Sequence, residues 1–291
     1  MTMLADWKDV LHSRKISLRK TRGQNFLADP GIAKRIVDLL CLNSGDVVLE
    51  IGPGLGALTG ELVQRAAFVM AVEIENAFCD ALNEWFGGTG RLEVLPLDVL
   101  DVDFPMLLEE LQTRCEGAGT LKVVSNLPYY ISTPILTRLV QAGRFSGMVL
   151  TMQKEVAQRI TAVPGGKVYG SLSVFTQYFC RAKIEFKISG GAFFPPPKVD
   201  SSVVSFTPWD KPPVLVLDKD LFFQVVRASF SARRKTLRNS LASYLTGLGL
   251  DKKRYEALLE QCGIDGRRRA ETLTMPEFAR LANLCSQWLG R

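Results

Sequence analysis

Four short apolar runs, each delivering a glycine or a polar side chain at its carboxyl end, limit what this chain can fold into. Residues 47–51 (Val-Val-Leu-Glu-Ile) lead into Gly52-Pro53-Gly54-Leu55-Gly56 and then into a helical pattern through Leu58, Leu62 and Val63. Residues 68–72 end at Glu73, residues 92–95 lead to Asp98, and residues 121–125 deliver Asn126-Leu127-Pro128-Tyr129. Strand, glycine turn and helix in that order form the first half of a nucleotide-binding unit, and open α/β sheets do their chemistry at strand carboxyl ends. The predicted core is therefore a sheet of buried strands between helices.

The sign of the charge beside the glycines narrows the ligand. Gly52, Gly54 and Gly56 would let backbone approach a bound molecule closely, a property shared by dehydrogenases, phosphate binders and methyltransferases. Glu50 lies two residues before the first glycine, where it would repel a pyrophosphate but attract a sulfonium or ammonium group. The loop suits S-adenosylmethionine better than a dinucleotide. Glu73 is placed for a carboxylate that accepts both ribose hydroxyls, and Asp98 for one that takes the adenine amino group. Each acid alone reads as an ordinary solvated strand end; four such ends in chain order read as a site.

Asn126-Leu127-Pro128-Tyr129 then supplies a second kind of grip. An Asn side-chain oxygen and the carbonyl of Leu127 or Pro128 can accept both hydrogens of an exocyclic amine, while the Tyr129 ring offers a face for a flat base. The plain alternative is an Asn-x-Pro turn closing a strand, with Tyr129 as packing. Downstream, the Pro195-Pro196-Pro197 run stiffens the backbone and can hold a neighbouring ring at a cleft edge, which makes Phe193 the favoured second base-contacting aromatic and Phe194 the lesser one.

Taken together, these residues resemble the S-adenosylmethionine-dependent ribosomal RNA adenine N6-dimethyltransferases, most closely those acting on two adjacent adenosines in a hairpin loop near the 3′ end of small-subunit rRNA. The resemblance runs from Gly23-Gln24-Asn25-Phe26-Leu27 through Glu50 to Gly56, Asn126 to Tyr129 and Phe193 to Ser201, and reaches Phe230 to Asn239. It implies a seven-stranded Rossmann-like methyltransferase sheet with a smaller, all-helical C-terminal domain. It also implies that Asn25, Leu27, Gly52, Glu73, Asp98 and Asn126 line the cofactor site, with Tyr129 and Phe193 flanking the target base. Tyr130 departs from the pattern, since many relatives carry Asn there. Macrolide-resistance methyltransferases acting on large-subunit rRNA share these motifs. DNA adenine methyltransferases use a related grip, but Leu127 replaces its first Pro. A ribosome-assembly factor that keeps the fold without catalysis is the alternative from another class.

Composition excludes several chemistries. The only histidine, His12, lies in the polar leader, so neither a His-based metal site nor a Ser-His triad is expected. Cysteines at 41, 79, 115, 180, 262 and 285 lack the C-x-x-C spacing of metal ligands and read as reduced cytosolic thiols. No export signal, membrane span or metal is expected, and the chain reads as a cytoplasmic monomer.

Charge is unevenly divided. Residues 219–291 carry 14 Lys/Arg against 7 Asp/Glu, whereas residues 1–218 carry 22 against 23. Within the basic tail, Arg233, Arg234, Lys235 and Arg238 are dense enough to bind a phosphate backbone of small-subunit rRNA or an immature subunit. A second cluster (Arg14, Lys15, Arg19, Lys20, Arg22) is expected beside the active-site mouth, ordering in part on binding cofactor or RNA. The Thr207-Pro208-Trp209-Asp210-Lys211-Pro212-Pro213 segment breaks regular structure. It divides the chain into a catalytic domain over 1–207 and a helical, basic RNA-binding domain over 208–291.

Overall fold

The computed structural model describes residues 25–290; the leader cluster of Arg and Lys and His12 lie outside the described residues. The strands are β1 (Phe26–Leu27), β2 (Val47–Ile51), β3 (Phe68–Glu73), β4 (Leu92–Pro96), β5 (Leu121–Asn126), β6 (Gly147–Gln153), β7 (Cys180–Ile188), β8 (Phe193–Phe194) and β9 (Ser201–Pro208). Seven of them form one sheet in the order β4-β3-β2-β5-β6-β9-β7, and β1 pairs with β8 separately. Strands β2 to β6 run parallel, and β9 pairs antiparallel with β6. The central β2 is buried along its whole length, as expected of a strand covered by helices on both faces.

Helices start where local chemistry favours them. Asp29 accepts a hydrogen bond from the Ile32 N–H at 3.1 Å and Pro30 occupies the first turn of the helix Pro30–Asp38. Its inward face is Ala33, Ile36 and Val37. By contrast, the pattern through Leu58, Leu62 and Val63 yields only the short helix Thr59–Leu62.

The chain divides into two compact units. One comprises the described residues up to Ala157 together with Arg181–Pro208, and the other comprises Gln158–Cys180 and the chain from Trp209 onward. The break at Pro208 lies where the Pro-rich composition changes. Assigning all of 1–207 to one domain, however, misplaces residues 158–180, which pack with the tail helices. The reason is aromatic burial: Tyr178 and Phe179 of the helix Ser171–Phe179 pack against Phe222 and Phe223 of the helix Lys219–Ser229, with the Phe179 and Phe223 rings stacked at 5.7 Å. Trp209 closes this unit by donating its backbone N–H to the Phe179 carbonyl at 3.1 Å and its indole N–H to the Gln177 carbonyl at 2.9 Å. The expected stripe of Leu221, Phe222, Val225 and Val226 is buried at its centre.

At the amino ends of β2 and β5 a buried charge ties loops to the sheet. Asp46 has no solvent exposure and accepts hydrogen bonds from the backbone N–H groups of Asn43 (2.8 Å) and Thr120 (2.6 Å), while Lys122 Nζ lies 3.1 Å from it. Lys122 also donates to the Leu40 and Cys41 carbonyls. Removing one partner of a buried pair costs about 3–5 kcal/mol, because the other is left without its counter-charge. Asp46→Ala should therefore lower the free energy of opening of the β2 amides by about that amount in native-state hydrogen exchange, and a drop under about 1 kcal/mol would show the pair to be dispensable.

Candidate active site

Strand order reverses beside β2, since the chain moves outward to β3 and β4 and then returns to lay β5 on the other flank. Ligands of open α/β sheets bind outside the strand carboxyl ends at such a switch point. The register brings those ends level: Ile51 stands opposite Val72 and Ser125, and Glu73 opposite Pro96. Gly52, Glu73, Asp98 and Asn126 consequently line one cavity, joined by Asn25, Leu27, Glu50, Gly54, Leu127, Pro128 and Tyr129.

The glycines divide the work. Gly52 adopts a φ of +65°, and a Cβ built there would meet nothing within 4 Å, so its backbone is bare toward open space. Gly54, at a φ of +55°, donates its N–H to Glu73 Oε2 at 3.1 Å, and a Cβ there would approach the Phe26 ring to 2.8 Å. Gly56 does not line the cavity. A Cβ at Gly56 would come within 2.7 Å of Phe86, so its expected place among the ligand-contacting residues is corrected to one of helix packing.

The acids at the ends of β2 and β3 differ in how their oxygens are used. Glu50 is wholly buried; Oε2 accepts from the Thr59 hydroxyl at 2.7 Å, and Oε1 has no partner. Burial pushes its carboxyl up to about 8, the Thr59 hydrogen bond opposes this, and the charge of Glu73 adds to it. Glu73 accepts from Gly54 through Oε2 and from the Ile74 (2.9 Å) and Glu75 (3.0 Å) N–H groups through Oε1. Three of about four acceptor positions on this carboxylate are thus used within the protein. A Glu73 free to take both ribose hydroxyls is not what the structure presents: one position remains, on Oε2. Desolvation raises its pKa, against those three hydrogen bonds.

On the loop after β4, Asp98 Oδ1 accepts the Leu100 N–H at 2.9 Å, which turns the chain and leaves Oδ2 as the second acceptor of this cavity-lining side chain. Exposed Ile74, Leu97 and Leu100 supply an apolar lip that sequence reasoning missed, as it did the packing of the motif residue Phe26 against Phe78 at 5.4 Å. Their signal was position alone: each follows or faces a strand end already singled out.

Asn126 is oriented by its neighbour, since Nδ2 donates to the Asn25 carbonyl at 2.9 Å and Oδ1 remains as the acceptor. In the turn that follows, the Pro128 carbonyl accepts from the Ile131 N–H at 3.2 Å, and Ser132 Oγ donates to the Tyr129 carbonyl at 3.0 Å. The Tyr129 hydroxyl is hydrogen-bonded to Ser201 Oγ, a buried residue at the start of β9 that ends the Phe193–Ser201 stretch and to which the sequence assigned no role of its own. Burial raises the Tyr129 pKa, keeping the phenol neutral.

Phe193 does not stand at the cavity wall. It pairs in register with Leu27 and is 3% exposed within the apolar core, because the short β1–β8 pairing turns its ring inward. Its expected position beside a target base is corrected accordingly; through Leu27 it braces the segment that carries Asn25. Arg233, Arg234, Lys235 and Arg238 lie in the second unit, all exposed. Arg233 donates to the Lys167 carbonyl, and Arg238 stands 3.5 Å from Glu256. Neither Arg234 nor Lys235 forms an ion pair with another described residue.

Residues 15–287 match the family profile described as ribosomal RNA adenine dimethylase. The chain belongs to the ribosomal RNA adenine dimethylase family. A ribosomal RNA small subunit methyltransferase A from Pelotomaculum thermopropionicum is 45% identical over 95% of the chain and 94% of that protein. The crystal structure of a dimethyladenosine transferase from Plasmodium falciparum is similar with a TM-score of 0.74 at 26% identity, covering 91% of this chain and 98% of that one. That of the 23S rRNA methyltransferase ErmE shares the fold, with a TM-score of 0.67 at 24% identity over 90% of this chain and all of that one. This member of the family is an enzyme with S-adenosylmethionine as its methyl donor. The unpartnered Glu50 oxygen beside the bare Gly52 backbone fits the cationic end of that molecule.

Glu50 also makes stability depend on pH. Its carboxyl titrates near 4.3 in an unfolded chain and at about 8 in the folded one, so the folded state holds the extra proton between those values. Its contribution is complete below the lower value and disappears as pH rises through the upper. Compared with Glu50→Gln, which mimics the protonated form, the unaltered protein should fall in melting temperature between about pH 5 and 8. Parallel pH profiles for the two would show that Glu50 does not titrate in this range.

Proposed function

We propose that this chain transfers methyl groups from S-adenosylmethionine to N6 of two adjacent adenosines in a hairpin loop near the 3′ end of small-subunit rRNA, giving N6,N6-dimethyladenosine during ribosome biogenesis. The observation that carries this reading is the Asn126 amide, turned by Asn25 so that an acceptor stands at the carboxyl end of β5 in the same cavity as Glu73 and Asp98. The relatives' names supply the small-subunit substrate. The protein acts as a monomer in the cytoplasm, on free rRNA or an immature subunit. Among the described residues, no helix is long and apolar enough to cross a membrane and no cluster of acids, His and Cys could hold a metal.

S-adenosylmethionine supplies an electrophilic methyl group on its sulfonium sulfur. Glu50 and Gly52 would hold its amino-acid end, Glu73 Oε2 would take a ribose hydroxyl, and Asp98, with Leu97 and Leu100 beside it in the cavity wall, would take the adenine amino group. The N6 lone pair of the target is delocalised into its purine ring, so the chain must turn that nitrogen. Asn126 Oδ1 accepts one N6 hydrogen. The Leu127 or Pro128 carbonyl accepts the other, the Pro128 carbonyl having one lone pair already engaged by the Ile131 N–H. Tyr129, anchored by Ser201, presents its ring to the base. This arrangement aims the lone pair and costs no reorganisation at the moment of transfer. The N-methylated product is acidic enough to lose its proton to water, so no side chain is required as a base.

Undermethylated small subunits and, in parallel, large subunits incubated with the protein and labelled S-adenosylmethionine should incorporate label only into two neighbouring adenosines of the small subunit, mapped by primer extension. Label confined to large subunits would refute the substrate assignment, and cofactor binding without label in either subunit would favour an assembly role.

Asn126→Ala should preserve folding but cut the single-turnover rate at saturating RNA by orders of magnitude, because its acceptor acts in the transition state. Tyr129→Ala should instead weaken target binding by about 1–3 kcal/mol, because the base has no ring to stack on. A near-normal rate for Asn126→Ala would remove the grip.

Arg233, Arg234, Lys235 and Arg238 dock RNA phosphates. Replacing all four with Ala should flatten the dependence of log affinity on log salt, by about 0.7–0.9 for every phosphate that is no longer neutralised. S-adenosylmethionine affinity should be normal. An unchanged slope would assign these residues to solubility.

A further inference from the structure

Arg138 stands on the helix Ser132–Ala142, which follows the Asn126–Tyr129 turn directly, and has no ion pair with another described residue. A guanidinium keeps its charge at every physiological pH and carries five donors in a fixed fork. Here the fork is directed at backbone: one arm donates to the Leu100 carbonyl at 2.6 Å and the Val99 carbonyl at 3.3 Å, and the other donates to the Val102 carbonyl. Its carbon also lies 5.1 Å from the centre of the buried Phe104 ring. These carbonyls belong to the loop that carries Leu97, Asp98, Val99 and Leu100 into the cavity.

Apart from the buried Val99 and Val102, that loop has little else of its own to hold it. Leu97 and Leu100 are 48% and 40% exposed, and the hydrogen bonds within 97–101 are short-range turns through Leu95 and Asp98. Segments with little buried apolar surface open easily, and a wall that must be ordered at the moment of binding weakens the ligand that uses it. Charge-assisted hydrogen bonds to three carbonyls of one loop remove that cost beforehand. At the other end of the same helix, Ser132 Oγ holds the Tyr129 carbonyl. One rigid rod therefore touches both the adenine side of the cofactor site and the turn that grips the target.

We propose that Arg138 is a positioning residue for the adenine end of the cofactor site, pinning the 97–100 wall to the helix behind the Asn126–Tyr129 turn. This rests on the reading of that wall as the adenine contact. Arg138 touches neither cofactor nor target, so its effect should fall on cofactor affinity and spare the chemical step.

The probe is 5′-methylthioadenosine, which carries adenine and ribose without the amino-acid end. Calorimetry should show Arg138→Met, which keeps the apolar stem, binding it about tenfold more weakly than the unaltered protein. KM for S-adenosylmethionine should rise in proportion, while kcat at saturation, RNA affinity and melting temperature stay close to those of the unaltered protein. Arg138→Lys, whose ammonium can reach some of the carbonyls, should lie between the two and serves as the deciding comparison if Arg138→Met does not fold. Equal affinity of the unaltered and altered proteins would overturn the inference alone. A parallel fall in RNA affinity and melting temperature would also overturn it, by making Arg138 a general structural residue. Failure of the unaltered protein to bind the probe would overturn the adenine assignment and the inference together.

Discussion

Everything at the site depends on the register of four parallel strands. Because β2, β3, β4 and β5 end level with one another, side chains separated by up to 76 positions from Glu50 to Asn126 emerge along a single edge without any long loop having to reach for them. A parallel ladder offset by one residue would exchange the faces of every following side chain and carry Glu73 and Asn126 away from the glycine turn. Register is held at the opposite ends by the buried Asp46 and its partly buried partner Lys122, whose hydrogen bonds join the loops before β2 and β5. The amino ends of the strands are tied together by these contacts, while the carboxyl ends present backbone and acids to a ligand.

The upper end is organised by contacts among segments far apart in sequence. Asn25 orients Asn126, Gly54 and the 74–75 turn hold Glu73, and the β1–β8 pairing locks Leu27 against Phe193. In the first two cases a backbone group fixes which side-chain atom faces the cavity. A polar side chain placed this way gives up little freedom on binding, and its remaining lone pair has a definite direction. Glu50 is the exception. With one oxygen unsatisfied in a wholly buried place, it retains a proton well above the ordinary carboxyl range, and a neighbouring positive charge is what would reverse that preference.

Strand ends were legible in sequence because they combine two local signals, an apolar run and an abrupt polar or glycine stop, and neither requires knowledge of distant partners. Gly52, Glu73, Asp98 and Asn126 were found this way. What could not be read was set by tertiary pairing. Phe193 looks like a cleft residue beside three prolines, yet its pairing opposite β1 turns its ring into the core. Gly56 belongs to the same pentapeptide as Gly52, but the ring of Phe86, 30 residues on, decides that it packs a helix. Residues 158–180 sit in sequence between two strands of the sheet, and only the aromatic packing of Tyr178 and Phe179 reveals that they belong with the tail. Arg138 carries no motif at all; its importance lies in three carbonyls 36 to 39 residues earlier.

The two ligands of this enzyme set opposite electrostatic demands. A cationic cofactor favours acids around its cavity, whereas the phosphates of RNA are repelled by them. The chain meets both demands by distribution. Glu50, Glu73 and Asp98 gather at strand ends in a segment of nearly balanced charge, while the surplus of Lys and Arg lies beyond residue 218. Burial adds a second device, because a carboxyl that titrates at about 8 is mostly neutral at physiological pH until a cation stands beside it. The cavity therefore presents less negative charge than its composition suggests. Once a cation neutralises an ionised Glu50, the net field toward an approaching phosphate is again nearly unchanged, so cofactor and RNA need not compete through charge even though each is recognised by it.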